Sequence, residues 1–341
     1  MKLKRTLAVL ASAALLITGL ASCGSSDTSE ESGSLDKITV QTLWLPQGQF
    51  AGLYTAEEKG FYEEEGIDVE LLPGGTDISS EDQVENDVAQ VGIAFYSSVL
   101  TYQEAGYDFV NVFQTFKESP QYLVTKKDSG ITTGADLKGK KVGSWFGGRQ
   151  YELYALAQLN GLDPEEDIEW VQQDYTMDQF NNDELDAASA MSYNEYLLLL
   201  EDEGYSEEDL NVINMNKEGA ALLEDCLFVK RSWAEENPEL LARFLRATIK
   251  GWQYAAENID EAAEIVYNAG DGSSTLEHQK AMTEKVIDLV IPEGSDASQI
   301  GSLDKDKIQQ TIDLGYGAGL IKEKINIEDS IDDSYWNEAV K

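Results

Sequence analysis

The sequence predicts an α/β protein of two lobes, and three observations carry that prediction. Strand-like and helix-like patterns alternate along the chain in a βαβ rhythm. Residues 37–341 are too many for one compact core and suit two. A lone β-rich segment at 227–230 then precedes a long helical region. The chain is therefore expected to leave the first lobe, build the second, and return through that segment.

The first element is an address label. Residues 1–22 begin with Lys2, Lys4 and Arg5, continue as an apolar run, and end Leu20-Ala21-Ser22 before Cys23. That order is a secretory signal closing on a lipobox. Cleavage before Cys23 frees a thiol for acylation and predicts a lipid-anchored protein on the outer face of the cytoplasmic membrane. Residues 23–36 are Gly, Ser and acids after the cysteine, which reads as a flexible tether.

In the first lobe, segments 37–43, 69–72, 88–93 and 109–115 read as strands. Helices are expected at 52–59, 78–86 and 97–105, and the rhythm predicts a mainly parallel sheet. The chain crosses over around 121–126. The second lobe carries strands at 141–145, 168–172, 187–191 and 212–215, with helices at 151–161, 176–182 and 194–203. Helices then follow at 238–258, 259–268, 275–290 and 304–315, and Ser232 to Glu235 has capping-box spacing. The expected boundaries are 37–122 with 227–341 for lobe 1 and 123–226 for lobe 2. Two crossings make a hinge, and a ligand belongs in the cleft outside the carboxyl ends of the strands.

Composition removes several functional classes. The chain has 64 acids against 25 bases, a net charge of −39, so nucleic acid is repelled. Beyond Cys23 the one cysteine is Cys226, which has no disulfide partner and reads as a small buried hydrophobe. His278 is the single histidine and sits in a polar helical stretch. Catalytic triads, Cys-His proteases and His/Cys zinc sites lack their residues, and neither cofactor nor metal is expected.

Aromatic and polar residues cluster where strands end. Trp44, Gln47 and Tyr54 follow the first strand, and Tyr96 follows a short one. Trp145, Phe146, Gly147, Gly148 and Arg149 join a strand to a helix. Aromatic faces stack on a flat ring while a few polar groups fix its edge. The Gly pair admits a close backbone approach, the helix start offers free N–H groups, and Arg149 offers a fork for an anion. Tyr193, Asn194 and Glu195 add one stacking face, one amide and one carboxylate that can accept from ring amines. Core packing for each aromatic, a plain turn for Gly147-Gly148 and a helix cap for Asn194 remain open readings. Glu224-Asp225 is a further candidate.

These segments resemble the NMT1/THI5-like family of periplasmic-type binding proteins. The residues that carry the likeness are 49–69 (QFAGLYTAEEKGFYEEEGIDV), 129–142 (SGITTGADLKGKKV) and 183–196, with their Asp-Ala-Ala and Tyr-Asn-Glu-Tyr. The resemblance implies a type II periplasmic-binding-protein fold. It also implies capture of a thiamine pyrimidine precursor, riboflavin or a sulfonate for an ABC permease and its ATPase, by a chain expected to act as a monomer. The family has an enzyme branch that makes the thiamine pyrimidine from pyridoxal phosphate and its own histidine. Its lysine corresponds to the region of Val88, its histidine to that of Ser98, and its cysteine cluster retains only Cys226. The expectation is therefore a non-enzymatic binder of a flat heterocycle. A sensory lipoprotein that presents its ligand to a membrane kinase would share the same fold.

Overall fold

Ten strands form in residues 35–341, the part of the chain that the computed structural model describes. The signal, Cys23 and the tether as far as Ser34 lie outside the described residues. The strands are β1 (Asp36–Gln41), β2 (Ile67–Leu72), β3 (Val91–Ala94), β4 (Phe109–Gln114) and β5 (Gln121–Lys126). They continue with β6 (Lys141–Ser144), β7 (Glu169–Gln172), β8 (Ala188–Met191), β9 (Leu210–Asn214) and β10 (Cys226–Lys230). A five-stranded sheet in the order β2-β1-β3-β10-β4 builds the first lobe. The second lobe holds β8-β5-β9 and the pair β6-β7, linked by a bridge between Val142 and Ala187.

The expectation of mainly parallel sheet is corrected. β1 runs parallel to β2 and β3, and β6 to β7, but β10 is antiparallel to β3 and β4. β5 is antiparallel to β8 and β9. Both β5 and β10 enter a lobe straight from the other one, without the helical crossover that keeps neighbouring strands parallel. The segment after β10 is also corrected. Its helix, Arg231–Glu236, has Lys230 at the N-cap and no side-chain cap, while the Ser232 N–H donates to the Asp108 carboxylate at 3.0 Å.

β5 already belongs to the second lobe at Gln121. The helix Lys305–Ala318, expected in lobe 1, packs on the helix Gln150–Leu159 behind the second lobe. It therefore straddles the two halves, and the Leu223 N–H on the returning chain donates to Thr311 in it at 3.0 Å.

The first lobe is held by the amphipathic helix Pro238–Glu257. Pro238 opens it with its φ fixed near helical values and no N–H to leave unpaired. Its inner stripe buries Leu241, Phe244, Leu245, Thr248 and Trp252 against the helix Ala51–Glu58 and the sheet. Tyr62 stacks on Phe244 with ring centres 5.3 Å apart. This packing fixes the loop from β1 into Ala51–Glu58, which carries one wall of the cleft. Among the described residues no helix is long and apolar enough to cross a membrane.

Candidate functional site

Five strand ends from both lobes converge on a cavity of about 140 Å³. Leu43, Trp44, Gln47 and Gln49 follow β1, and Phe95 follows β3. Trp145 and Arg149 follow β6, Tyr175 follows β7, and Met191, Tyr193, Asn194 and Glu195 end or follow β8. A larger groove of about 610 Å³, lined by residues such as Lys117, Glu293 and Lys307, lies elsewhere and takes in none of these strand ends. The smaller cavity has the aromatic walls and sits at the carboxyl ends of the strands.

Trp44 and Tyr175 meet with ring centres 5.3 Å apart and planes at 44°, one from each lobe. The Arg149 guanidinium lies 4.8 Å from the centre of the Phe95 ring and 5.7 Å from that of Trp145. Trp145 is anchored by its indole N–H, which donates to the Asp174 carbonyl at 3.1 Å. These contacts hold the aromatic faces in fixed positions before any ligand arrives.

The polar edge is a chain of acceptors. The Gln47 amide donates to Gln49 Oε1 at 2.7 Å, and Gln49 in turn donates to both Asp225 carboxylate oxygens at 2.9 and 3.1 Å. The Met191 N–H donates to Glu195 Oε2, and Asn194 Nδ2 to Glu195 Oε1, both at 2.9 Å. Asn194 heads the helix Glu195–Glu201, but its side chain makes no capping bond.

Burial sets the electrostatics. It pushes Asp225 up to about 7 against the opposing bonds from Gln49, and it raises Glu195. Glu224 is raised well above the usual carboxylate range by burial and then by Glu152, and its Oε2 has no hydrogen-bond partner. Arg149 pulls all three of these carboxylates back toward ionisation. Desolvation thus favours the neutral acids, and a single cation opposes it.

Trp44, Gln47, Trp145, Arg149, Tyr193, Asn194 and Glu195 line the cavity; the other expected site residues do not. Tyr54 packs in the first-lobe core, where burial takes its unpartnered hydroxyl up to about 12. Tyr96 is fully buried in a second cluster, its hydroxyl 2.6 Å from Ser330 Oγ. The chain turns from β3 into a helix at this point, sending Phe95 into the gap and Tyr96 behind it. Phe146, Gly147 and Gly148 form a loop with φ of +50°, +68° and +111°. The Gly148 N–H is taken by the Gln150 side chain at 2.9 Å, so it is not free for an anion.

Leu43, Gln49, Phe95, Tyr175 and Met191 were not anticipated. Gln49 and Phe95 lie inside the aromatic-polar clusters already singled out. Tyr175 sits between Asp174 and Thr176 in a polar loop with no pattern to mark it.

The NMT1/THI5 like family profile matches residues 47–262, which span both lobes and every strand end at the cavity except that of β1, whose Leu43 and Trp44 precede the match. The chain belongs to that family. A Bacillus subtilis (strain 168) family relative, named as an aliphatic sulfonates-binding protein, is 28% identical over 99% of this chain and 98% of its own. The formylaminopyrimidine-binding protein of Halalkalibacterium halodurans is 22% identical over 87% and 90%. The periplasmic aliphatic sulphonate binding protein SsuA of Escherichia coli superposes with a TM-score of 0.70 at 17% identity, covering 88% of this chain and 92% of that one. The NMT1/THI5 like chain therefore has the periplasmic-binding-protein fold of two α/β lobes around a cleft.

Proposed function

We propose that this protein is the solute-binding lipoprotein of an ABC importer and that it closes on a single-ring, amine-bearing heterocycle of the aminopyrimidine class. It is tethered through Cys23, acts as a monomer, and delivers its ligand to a permease and its ATPase without transforming it. The observation that carries the reading is the cavity itself, with aromatic faces from both lobes around an edge rich in acceptors. Its volume of about 140 Å³ suits one six-membered ring, since a cavity of about 150 Å³ takes benzene. A three-ring flavin with its side chain is several times too large. A sulfonate needs donors, whereas Glu195 lines the cavity as a carboxyl group and Arg149 is the one cation there.

Two positions speak against the pyrimidine-synthase reading. Val88, in the region of the enzyme branch's lysine, is 48% exposed on a turn away from the cavity. Ser98, in the region of its histidine, donates to Glu81 and does not line the cavity.

The test is a thermal-melting shift with 4-amino-5-hydroxymethyl-2-methylpyrimidine, its formylamino analogue, riboflavin and taurine. An aminopyrimidine at a hundred times its Kd should stabilise by about 2.7 kcal/mol. A shift with taurine alone, or with none of the four, overturns the assignment. Trp44→Ala is expected to weaken aminopyrimidine binding by roughly 10- to 100-fold, a stacking contribution of about 1–3 kcal/mol, while Trp44→Phe keeps most of it. Calorimetric titration of the two variants checks this, and equal losses in both would remove stacking as the cause.

A further inference from the structure

The helix Leu276–Val290 belongs to the first lobe, where Met282, Val286 and Leu289 join the core under the five-stranded sheet. Its first turn reaches both walls of the cavity. Gln279 accepts the Gly48 N–H at 2.7 Å, fixing the loop that carries Gln47 and Gln49. His278, one residue earlier and buried to 6% exposure, faces the second lobe. Its Nδ1 lies 2.8 Å from Glu201 Oε2 and its Nε2 lies 3.0 Å from Asn194 Oδ1. Asn194 lines the cavity, and together with Glu201 it brackets the helix Glu195–Glu201 of the second lobe.

With Glu195 ionised, the state that the Met191 N–H, the Asn194 amide and Arg149 favour, the hydrogen-bond inventory fixes what this chain of contacts must contain. Asn194 Nδ2 donates to Glu195, which turns Oδ1, a pure acceptor, toward the ring. A carboxylate oxygen faces the other ring nitrogen. Two acceptors on opposite sides of an imidazole are both satisfied only when both ring nitrogens carry hydrogen. A neutral ring leaves one lone pair facing another at hydrogen-bond distance.

We propose that His278 clasps the two lobes together as an imidazolium, and that the clasp opens when this proton is lost. The proposal rests on the reading of two lobes that close around a ligand, and it adds a device for holding them closed. The charged groups around the ring are few. From the helix Glu195–Glu201 they are Glu195, acting through Asn194, and Glu201. The turn Gly48–Phe50 has none. From the helix Ile259–Ala269 they are Asp260, paired with Lys280, Glu261, paired with Lys59, and the exposed Glu264. On its own helix Glu277 and Lys280 are exposed. The proton thus sits between lobe 1 and lobe 2 beside the cavity, and its release frees Asn194 together with the wall that it forms.

His278 is the single histidine in the chain, so one set of ¹⁵N-labelled imidazole signals reports it alone. The experiment follows those signals and the radius of gyration by solution scattering from pH 5 to 9, with no ligand present. The ring is expected to lose its proton over the same interval in which the radius rises. Glu201→Gln should move both changes to lower pH together. His278→Gln should give the expanded radius throughout and lose the pH dependence. A ring that titrates without expansion, a ring that stays neutral throughout, or a His278→Gln protein that scatters like the wild type overturns the clasp. No ligand enters these measurements, so failure of the clasp is separable from failure of the aminopyrimidine assignment, which the melting shifts test.

Discussion

Raising the pH from 5 to 8 is expected to lower the melting temperature of this protein, the reverse of the usual acid lability. Asp225 is lifted by burial from 3.8 to about 7, and Glu152 from 4.5 to about 8. Glu224 is raised further in the same direction by burial and by Glu152. Each group binds its proton more tightly folded than unfolded. Its stabilising contribution is complete below the unfolded value and is lost as pH climbs through the folded one. For Asp225 alone the loss is on the order of 4 kcal/mol, and this places the main drop between about pH 4 and 7. Lys117 acts oppositely, but only higher up. Burial depresses it to about 7, so the unfolded chain holds the extra proton above that pH and stability recovers there. A fall of roughly 10 °C between pH 5 and 8 is expected by differential scanning calorimetry. Asp225→Asn should flatten the lower part of the curve. A melting temperature that is constant or rising over this interval would show that these carboxyls are solvated and ionised in the folded protein.

The sequence made nine of the ten strands legible because each is a short β-rich run bounded by turn residues, and their positions shift by only a few residues in the structure; β5 reads there as the crossing between lobes and is itself a strand. Strand direction was not legible. Whether β5 and β10 run with or against their neighbours depends on the lobe each comes from, which no local pattern records.

The site divides in the same way. Clusters at strand ends pointed to Trp44, Trp145, Arg149 and Glu195, since aromatic and polar residues there lie beyond the last ladder bond. The choice between Phe95 and Tyr96 turns on a single residue of register at the strand-to-helix turn, where one side chain enters the gap and the next enters the core. Asn194 has the sequence position of a helix cap, and only its geometry shows the side chain spent on Glu195 and His278 instead. His278 sits among polar residues on a helix, and its partners lie 77 and 84 positions away.

Gly251→Ala is expected to destabilise the first lobe even though alanine is the better helix former. Gly251 lies on the buried face of Pro238–Glu257, where that helix crosses Ala51–Glu58. A Cβ there would lie far inside van der Waals contact distance of the Gly52 carbonyl oxygen and 2.6 Å from the Ala56 Cβ. Gly52 in turn lies under the indole of Trp252, where a Cβ would collide with the ring. The obstacle at Gly251 is backbone, which cannot swing away, so the two helices must part. The cost should sit at the upper end of the 1–3 kcal/mol typical of overpacking, more than offsetting a gain of about 1 kcal/mol in helix propensity. Gly317 supplies the contrast, being exposed on the helix Lys305–Ala318 with nothing within 4 Å of an added Cβ. Gly317→Ala should stabilise by up to about 1 kcal/mol. Urea midpoints measured side by side are expected to move in opposite directions. Because the helix Ala51–Glu58 continues directly from the loop bearing Trp44 and Gln47, Gly251→Ala should also weaken ligand binding while leaving every cavity side chain in place. If Gly251→Ala instead gained stability as Gly317→Ala does, the close crossing of these two helices would be wrong, and with it the reason that wall of the cleft is rigid.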